Sequence, residues 1–404
     1  MAFTIHQQPE EFTPAYNKNI FVVSSTNSAQ PNFKYVAKAY IGTETITIKQ
    51  FPNPTYGSAY FDFGRDVERL VTYDINLASA GITTNSNSLK SYYVEFYEEY
   101  DIAGVLTLSS LKATSSTIKI FNGVVGHLEY ANYDPSPYVY DLGSEVLNHV
   151  LTRKYKITDN GWMYLMLDDV TTMPDIQIIT YNSAGTLIDT YTIDNNNQTN
   201  GTLSHHHIRI PCMPYSINLI NNADITGGVQ PLIDSTVYSY VIDFGGSTRL
   251  FQLDQTCTQY DRIELHYLNR LGAFEVFHFD RVSDLNEDIE RAKYKNVIGG
   301  LTSSSAYGYS VSDKSSTTNY TKTKDKYKVR SNWISAEYNT ALRELVESPV
   351  VFMYGLTDKW NSSYGLIPID ITTNKWDRKL KSNKRMINLE LEFELQNDEF
   401  RQRF

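Results

Sequence analysis

Residues 260–280 read YDRIELHYLNRLGAFEVFHFD, which predicts two strands joined by a tight turn. Strand side chains alternate between faces, so Ile263, Leu265 and Tyr267 share one face and Glu264, His266 and Leu268 the other. Asn269-Arg270-Leu271-Gly272 supplies the turn, with Gly272 at the position that demands a positive φ. On the return strand Phe274, Val276 and His278 form one face, and Glu275, Phe277 and Phe279 the other. Aromatic residues on both faces predict a central strand of a sheet covered on two sides. The residue types are those of a structural hairpin, and none of them suggests an active site.

Working outward, the same short alternating patterns recur on both sides. Between Asn19 and Val125 the segments NIFVVSS, FKYVAKAYI, TITIKQF, SYYVEFYEEYD and STIKIFNGVVG read as strands, separated by turn-rich PNPTYG and TTNSNS. FDFGRDVERLVTYD (61–74) predicts a helical turn, with Val67, Leu70 and Val71 facing inward. WMYLML, IQIITYN, TLIDTYTID, HHHIRIP and YSINLIN continue the strand series, with Asn182–Gly185 as a hairpin loop. Downstream of the quoted hairpin, 281–330 is polar and predicts a long arm or loop. Ser335 then caps a helix over 335–347. Tyr338, Ala341, Leu342, Leu345 and Val346 fall at helical spacing, and Pro349 stops it. Three closing strands follow.

These patterns predict a mainly β, multidomain chain. Two antiparallel β-sandwich (Ig-like) modules span 1–135 and 136–235, followed by a β-rich C-terminal domain, 236–404, with one helix. No solenoid or propeller period is present.

At 404 residues and 41% hydrophobic content the chain can bury large cores. Charged residues are only 20% while tyrosines number 31, a balance that favours strands and polar, adhesive surfaces. A net charge of −10 argues against specific nucleic-acid binding, which needs a basic face. Cys212 and Cys257 are too few for a disulfide framework and read as buried small residues. The N-terminus lacks the pattern of a signal peptide, and no apolar run reaches membrane-helix length. The expectation is synthesis in a host cytoplasm without a membrane stage.

Candidate chemistry is sparse. His205 and His207 share a strand face and offer two metal ligands, but no third has fitting spacing, so an exposed loop edge is expected. Glu98-Glu99 and Asp168-Asp169 are acid doublets. Adjacent strand residues point to opposite faces, so neither is the facing pair that a glycoside hydrolase needs. Phosphate-binding glycine loops, HExxH and CxxC are absent. No catalytic, cofactor-binding or metal residue is assigned, and no cofactor is expected. The basic run Lys375, Arg378, Lys379, Lys381, Lys384 and Arg385 is the candidate interface. In an acidic chain it suits contacts between copies or with an acidic partner.

Three stretches, in order, resemble structural proteins of tailed bacteriophages and prophages of Bacteroidetes hosts. They are FPNPTYGSAYFDFGRDVERLV (51–71), IELHYLNRLGAFEVFHF (263–279), and a C-terminal block. That block runs from Trp333 through the helix ending at Leu345–Val350 to MINLELEFEL. The resemblance covers most of the chain in outline, and its motifs encode packing, not catalysis. It implies a tail, baseplate or neck component of the virion that is not an enzyme. Such a component works as a homo-oligomer (a ring or symmetric set) with other tail or neck proteins as partners. Two alternatives stand beside it: a glycan- or receptor-binding β-sandwich, testable by the exposure of Trp162, Trp360 and Trp376, and a tail-associated glycan hydrolase.

Overall fold

The computed structural model describes residues 3–75, 81–140, 146–149, 154–168, 175–194, 207–256, 260, 262–354, 365–373, 386–397 and 399–400. The chain is mainly β, with several separate, largely antiparallel sheets. It folds as two compact units. The first is Met1–Thr256 with Leu268–Glu275; the second is Cys257–Tyr267 with Val276–Phe404.

The first unit opens with a sandwich. A three-stranded sheet (Phe3–Gln7, Ile20–Ser25, Ser58–Asp62) shares one core with a seven-stranded sheet built on the long strand Leu89–Ile102 and its neighbour Lys34–Ile41. The period-two pattern decides which residues enter that core. Phe21, Val23 and Phe61 come from one sheet; Tyr35, Ala37, Ala39, Tyr92, Val94, Phe96, Ile118 and Ile120 come from the other. Phe21 meets Phe63 edge to face at 5.8 Å and Phe96 at the same distance, the offset geometry that ring quadrupoles favour. The helical turn expected in 61–74 is Gly64–Glu68, with Val67 and Val71 buried and Leu70 against the core. Within this sandwich, among the described residues, one pair departs from antiparallel order: Phe12–Pro14 runs parallel to Ile118–Phe121.

Two more sheets complete this unit. Trp162–Leu167 and His207–Pro211 pair at the centre of a four-stranded sheet, and Thr83–Thr84 lies at its edge against His207–Pro211. The expected boundary at 135/136 therefore separates strands that share a sheet. The boundary at 235/236 does the same. Ser239–Phe244 and Thr248–Leu253 belong to one six-stranded sheet with Lys154–Tyr155, Ile176–Tyr181 and Leu187–Ile193. The segment YSINLIN is not a strand; Pro214–Asn218 is a short helix. Pro214 presets the helical φ, and the Ser216 hydroxyl accepts from Met213 N at 3.2 Å, closing the first turn.

In the second unit an eight-stranded sheet runs in the order Phe274–Phe279, Ile263–Leu268, Val351–Tyr354, Leu366–Ile371, Glu390–Leu395, Ser316–Arg330, Asp284–Lys295. Its eighth strand, Glu399–Phe400, pairs separately with Ser316–Arg330. The central place expected for the hairpin holds for its first strand only. The return strand Phe274–Phe279 is terminal in the sheet and begins within the first unit. Gly272 has φ +82°, as the turn requires. The helix Asn339–Glu347 buries Ala341, Leu342 and Leu345 and is preceded by a 3₁₀ turn. Ser335 does not cap it; its hydroxyl accepts from Glu337 N at 3.4 Å, in the 3₁₀ turn. No helix among the described residues is long and apolar enough to cross a membrane.

Candidate interaction surface

The polar stretch 281–330 forms a two-stranded ribbon in place of a loop. Asp284–Lys295 pairs antiparallel with Ser316–Arg330 over most of their length. The inner strand obeys the strand period in an unusual alphabet. Thr323, Asp325, Tyr327 and Val329 are buried, while Lys322, Lys324, Lys326, Lys328 and Arg330 occupy the other face.

That basic row lies between two acidic ones. In register, Asp284, Asp288 and Glu290 face it from one side, and Glu390, Glu392 and Glu394 from the other. Lys326 meets Asp288 at 2.6 Å, and Lys328 meets Glu390 at 2.5 Å and Glu392 at 3.0 Å. Arg330 spans Asp284 at 3.2 Å and Glu390 at 2.9 Å, and Lys324 holds Glu394. Hydrogen bonds from Lys328 and Arg330 hold the Glu390 carboxyl below its ordinary pKa. Exposed pairs of this kind contribute little singly and fix strand register more than they stabilise. Glu390, Glu392 and Glu394 are thus already paired within the sheet.

Beyond the sheet the ribbon continues alone to a small hairpin, Gly300–Ser303 against Ala306–Gly308. Local bonds shape this tip. Tyr307 Oη donates to Ile298 O at 2.6 Å, and Tyr307 packs edge to face on Tyr309 at 5.4 Å. Gly299 has φ +82°, and a Cβ there would lie 2.5 Å from Gly308 O. The apolar side chains of the tip find no core. Val297 is 87% exposed, Leu301 79%, Tyr309 77%, and Val311 fully.

The basic run Lys375, Arg378, Lys379, Lys381, Lys384 and Arg385 lies outside the described residues, as do His205, His206, Asp169, Cys257, Trp360 and Trp376. The other expected site residues are placed. His207 is buried, not an exposed loop edge. Its Nδ1 meets the Ser88 hydroxyl and lies 3.4 Å from Asn85 Nδ2. Burial lowers its pKa to about 3, with the Asp74 charge opposing, so the ring is neutral at physiological pH. Trp162 is buried with the Arg209 guanidinium 5.0 Å from its ring centre, so it offers no open sugar platform. Cys212 is buried and free. The doublet Glu98-Glu99 splits between faces as its spacing dictates. Glu98 accepts from Ser25 Oγ at 2.5 Å and Asn27 Nδ2 at 2.9 Å, and Glu99 pairs with Lys49 at 2.8 Å.

One polar cluster escaped the sequence reading. Buried Glu264 lies between two histidines, with His266 Nε2 at 2.6 Å and His278 Nε2 at 3.1 Å. Burial alone would raise its pKa, but the bonds from His266 and His278 prevail and hold the carboxyl at about 2. The signal was present: Glu264 and His266 are two apart on one strand, and His278 lies on the adjacent strand. The ribbon and its tip, in contrast to these buried groups, are open surface. No protein-family model matches the chain, and no curated protein matches it.

Proposed function

We propose that this chain is a structural component of a tailed-bacteriophage virion, in the tail, baseplate or neck, and acts through protein–protein interfaces. The ordered resemblance of three stretches supports that class, and the mainly β architecture is compatible with it. The observation that carries the reading is the ribbon, a charged stalk ending in bare apolar side chains at Val297, Leu301, Tyr309 and Val311. Grouped exposed apolar side chains mark a surface that another protein covers. In this reading the tip inserts into a neighbour, and copies assemble as a symmetric ring or fixed set beside other tail or neck proteins. No catalytic step or cofactor belongs to this role. Electron microscopy of purified particles tests it. The expected result is density for this chain at the neck, tail or baseplate with its ribbon against a neighbour; particles that lack the chain would overturn the proposal.

A further inference from the structure

The outer strand of the ribbon, Asp284–Lys295, ends the eight-stranded sheet. It pairs on one side with Ser316–Arg330, and among the described residues no strand pairs with its other side. Every residue of it except Ala292 is exposed. The one irregularity of the ribbon, between Ala292 and Lys293, skips Asn319 of the inner strand, so the outer strand itself stays regular. A long regular edge is a template for a further strand, and proteins ordinarily guard it with scattered charge. Here the charge is ordered: Glu287, Asp288 and Glu290 precede Arg291, Lys293 and Lys295.

We propose that two copies of this chain pair edge to edge through Asp284–Lys295, antiparallel, about a two-fold axis at Ile289. Two identical antiparallel strands in one sheet are related by an axis perpendicular to it, so each residue meets one on its own face. Leu285, Glu287, Ile289, Arg291 and Lys293 share one face. With the axis at Ile289, Ile289 meets Ile289 of the second copy. Glu287 meets Arg291, and Arg291 meets Glu287. Leu285 lies under the methylene stem of Lys293. On the other face Asn286 meets Ala292 and Asp284 meets Tyr294. Asp288 comes opposite Glu290, but Asp288 already holds Lys326 at 2.6 Å, and Glu290 faces Lys322 in the ribbon.

Neighbouring axes are worse. Centring on Asp288, Glu290 or Arg291 sets a charge against its own copy, and like charges directly opposite oppose pairing. Ile289 alone among these puts an apolar residue on the axis with opposite charges on both sides. Of the strand's three exposed large hydrophobic residues, Leu285, Ile289 and Tyr294, this register covers both aliphatic ones, Leu285 and Ile289.

The inference stands apart from the virion reading, because the contact needs no other protein. Sedimentation equilibrium of the purified full chain tests it, with circular dichroism to verify folding of each variant. The wild type is expected to show a monomer–dimer equilibrium. Arg291→Glu sets Glu287 against a second acid twice over and should weaken the dimer at least about tenfold. Combining it with Glu287→Arg restores both pairs in reverse and should restore the dimer. Ile289→Cys should give a disulfide-linked dimer on mild oxidation, reversed by dithiothreitol, since facing Cα atoms about 4.5–5.5 Å apart suit a disulfide. A wild type that stays monomeric with no cross-link at position 289 overturns the proposal. So does an oligomer indifferent to Arg291→Glu, or one that the double exchange fails to rescue.

Discussion

Gly272 combines two demands that only glycine meets. Its φ is +82°, and a Cβ would lie 2.3 Å from Asn122 O, a backbone atom that cannot yield as a side-chain end would. The turn it closes hangs on Asn269, whose Oδ1 accepts from Leu271 N at 3.0 Å and Ala273 N at 2.9 Å while Nδ2 reaches Leu147 O at 2.9 Å. Gly272→Val should therefore destabilise the protein by about 3 kcal/mol, from left-handed strain plus overpacking; denaturant titration measures it, and an unchanged midpoint would contradict the turn. The glycine was legible from the Asn-Arg-Leu-Gly sequence, but its closeness to Asn122 was not, because 150 positions separate the two. Glu264 makes a second residue-scale prediction. Its folded pKa of about 2 lies below the ordinary 4.5, so its contribution is present above about pH 4.5 and is lost as pH falls through about 2. That difference corresponds to roughly 3 kcal/mol. Glu264→Gln should be less stable at neutral pH and should flatten the stability curve between about pH 4.5 and 2. A variant whose acid unfolding matches the wild type would show that the carboxylate is not held by His266 and His278.

Strands with apolar inward faces were readable from their period. Ile20–Ser25 and Glu390–Leu395 bury alternate residues as the pattern predicts, and Lys34–Ile41 does so with Val36 buried as well. The ribbon was hidden because its buried face carries Thr323, Asp325 and Tyr327 in place of aliphatic residues, so the hydrophobic alternation fell silent over 281–330. Its charge alternation, Lys-Thr-Lys-Asp-Lys-Tyr-Lys-Val-Arg from 322 to 330, is a period-two signal in its own right. The segment YSINLIN failed for the opposite reason. Its Ile and Leu spacing suits a strand, but Pro214 and Ser216 supply a helix start that outweighs it. At this scale the ion-pair rows carry the prediction. Lys328 lies between Glu390 at 2.5 Å and Glu392 at 3.0 Å, with Asp284 opposite in register. Lys328→Glu places four acids together and should lower the thermal midpoint at low ionic strength. The deficit should shrink in molar salt, where the screening length falls to about 3 Å. A deficit independent of salt would mean that packing, not charge, holds the inner strand.

Across the whole molecule, the mainly β character was legible and the domain borders were not. Local patterns carry no trace of which distant strands pair. Thr83 meets Arg209, and Lys154 meets Gln252, so sheets draw on segments that composition alone sets apart. The proposed function rests on a resemblance carried by three stretches of the sequence, and the surface argued to support it came from geometry. The tip supplies the corresponding test because it is self-contained. Its small hairpin pairs only with itself, Asn296 N bonds Ser315 O across its base, and none of its side chains enters a core. Replacing 297–314 with Asn-Gly closes the ribbon as a two-residue hairpin loop between Asn296 and Ser315. The chain should keep its thermal midpoint, since no buried apolar area is removed. If the tip is the surface that a neighbour covers, the truncated chain should fail to enter particles while folding normally. Particles carrying it at wild-type occupancy would show that the exposed Val297, Leu301, Tyr309 and Val311 are not the contact, and would leave the edge strand Asp284–Lys295 as the ribbon's interacting part.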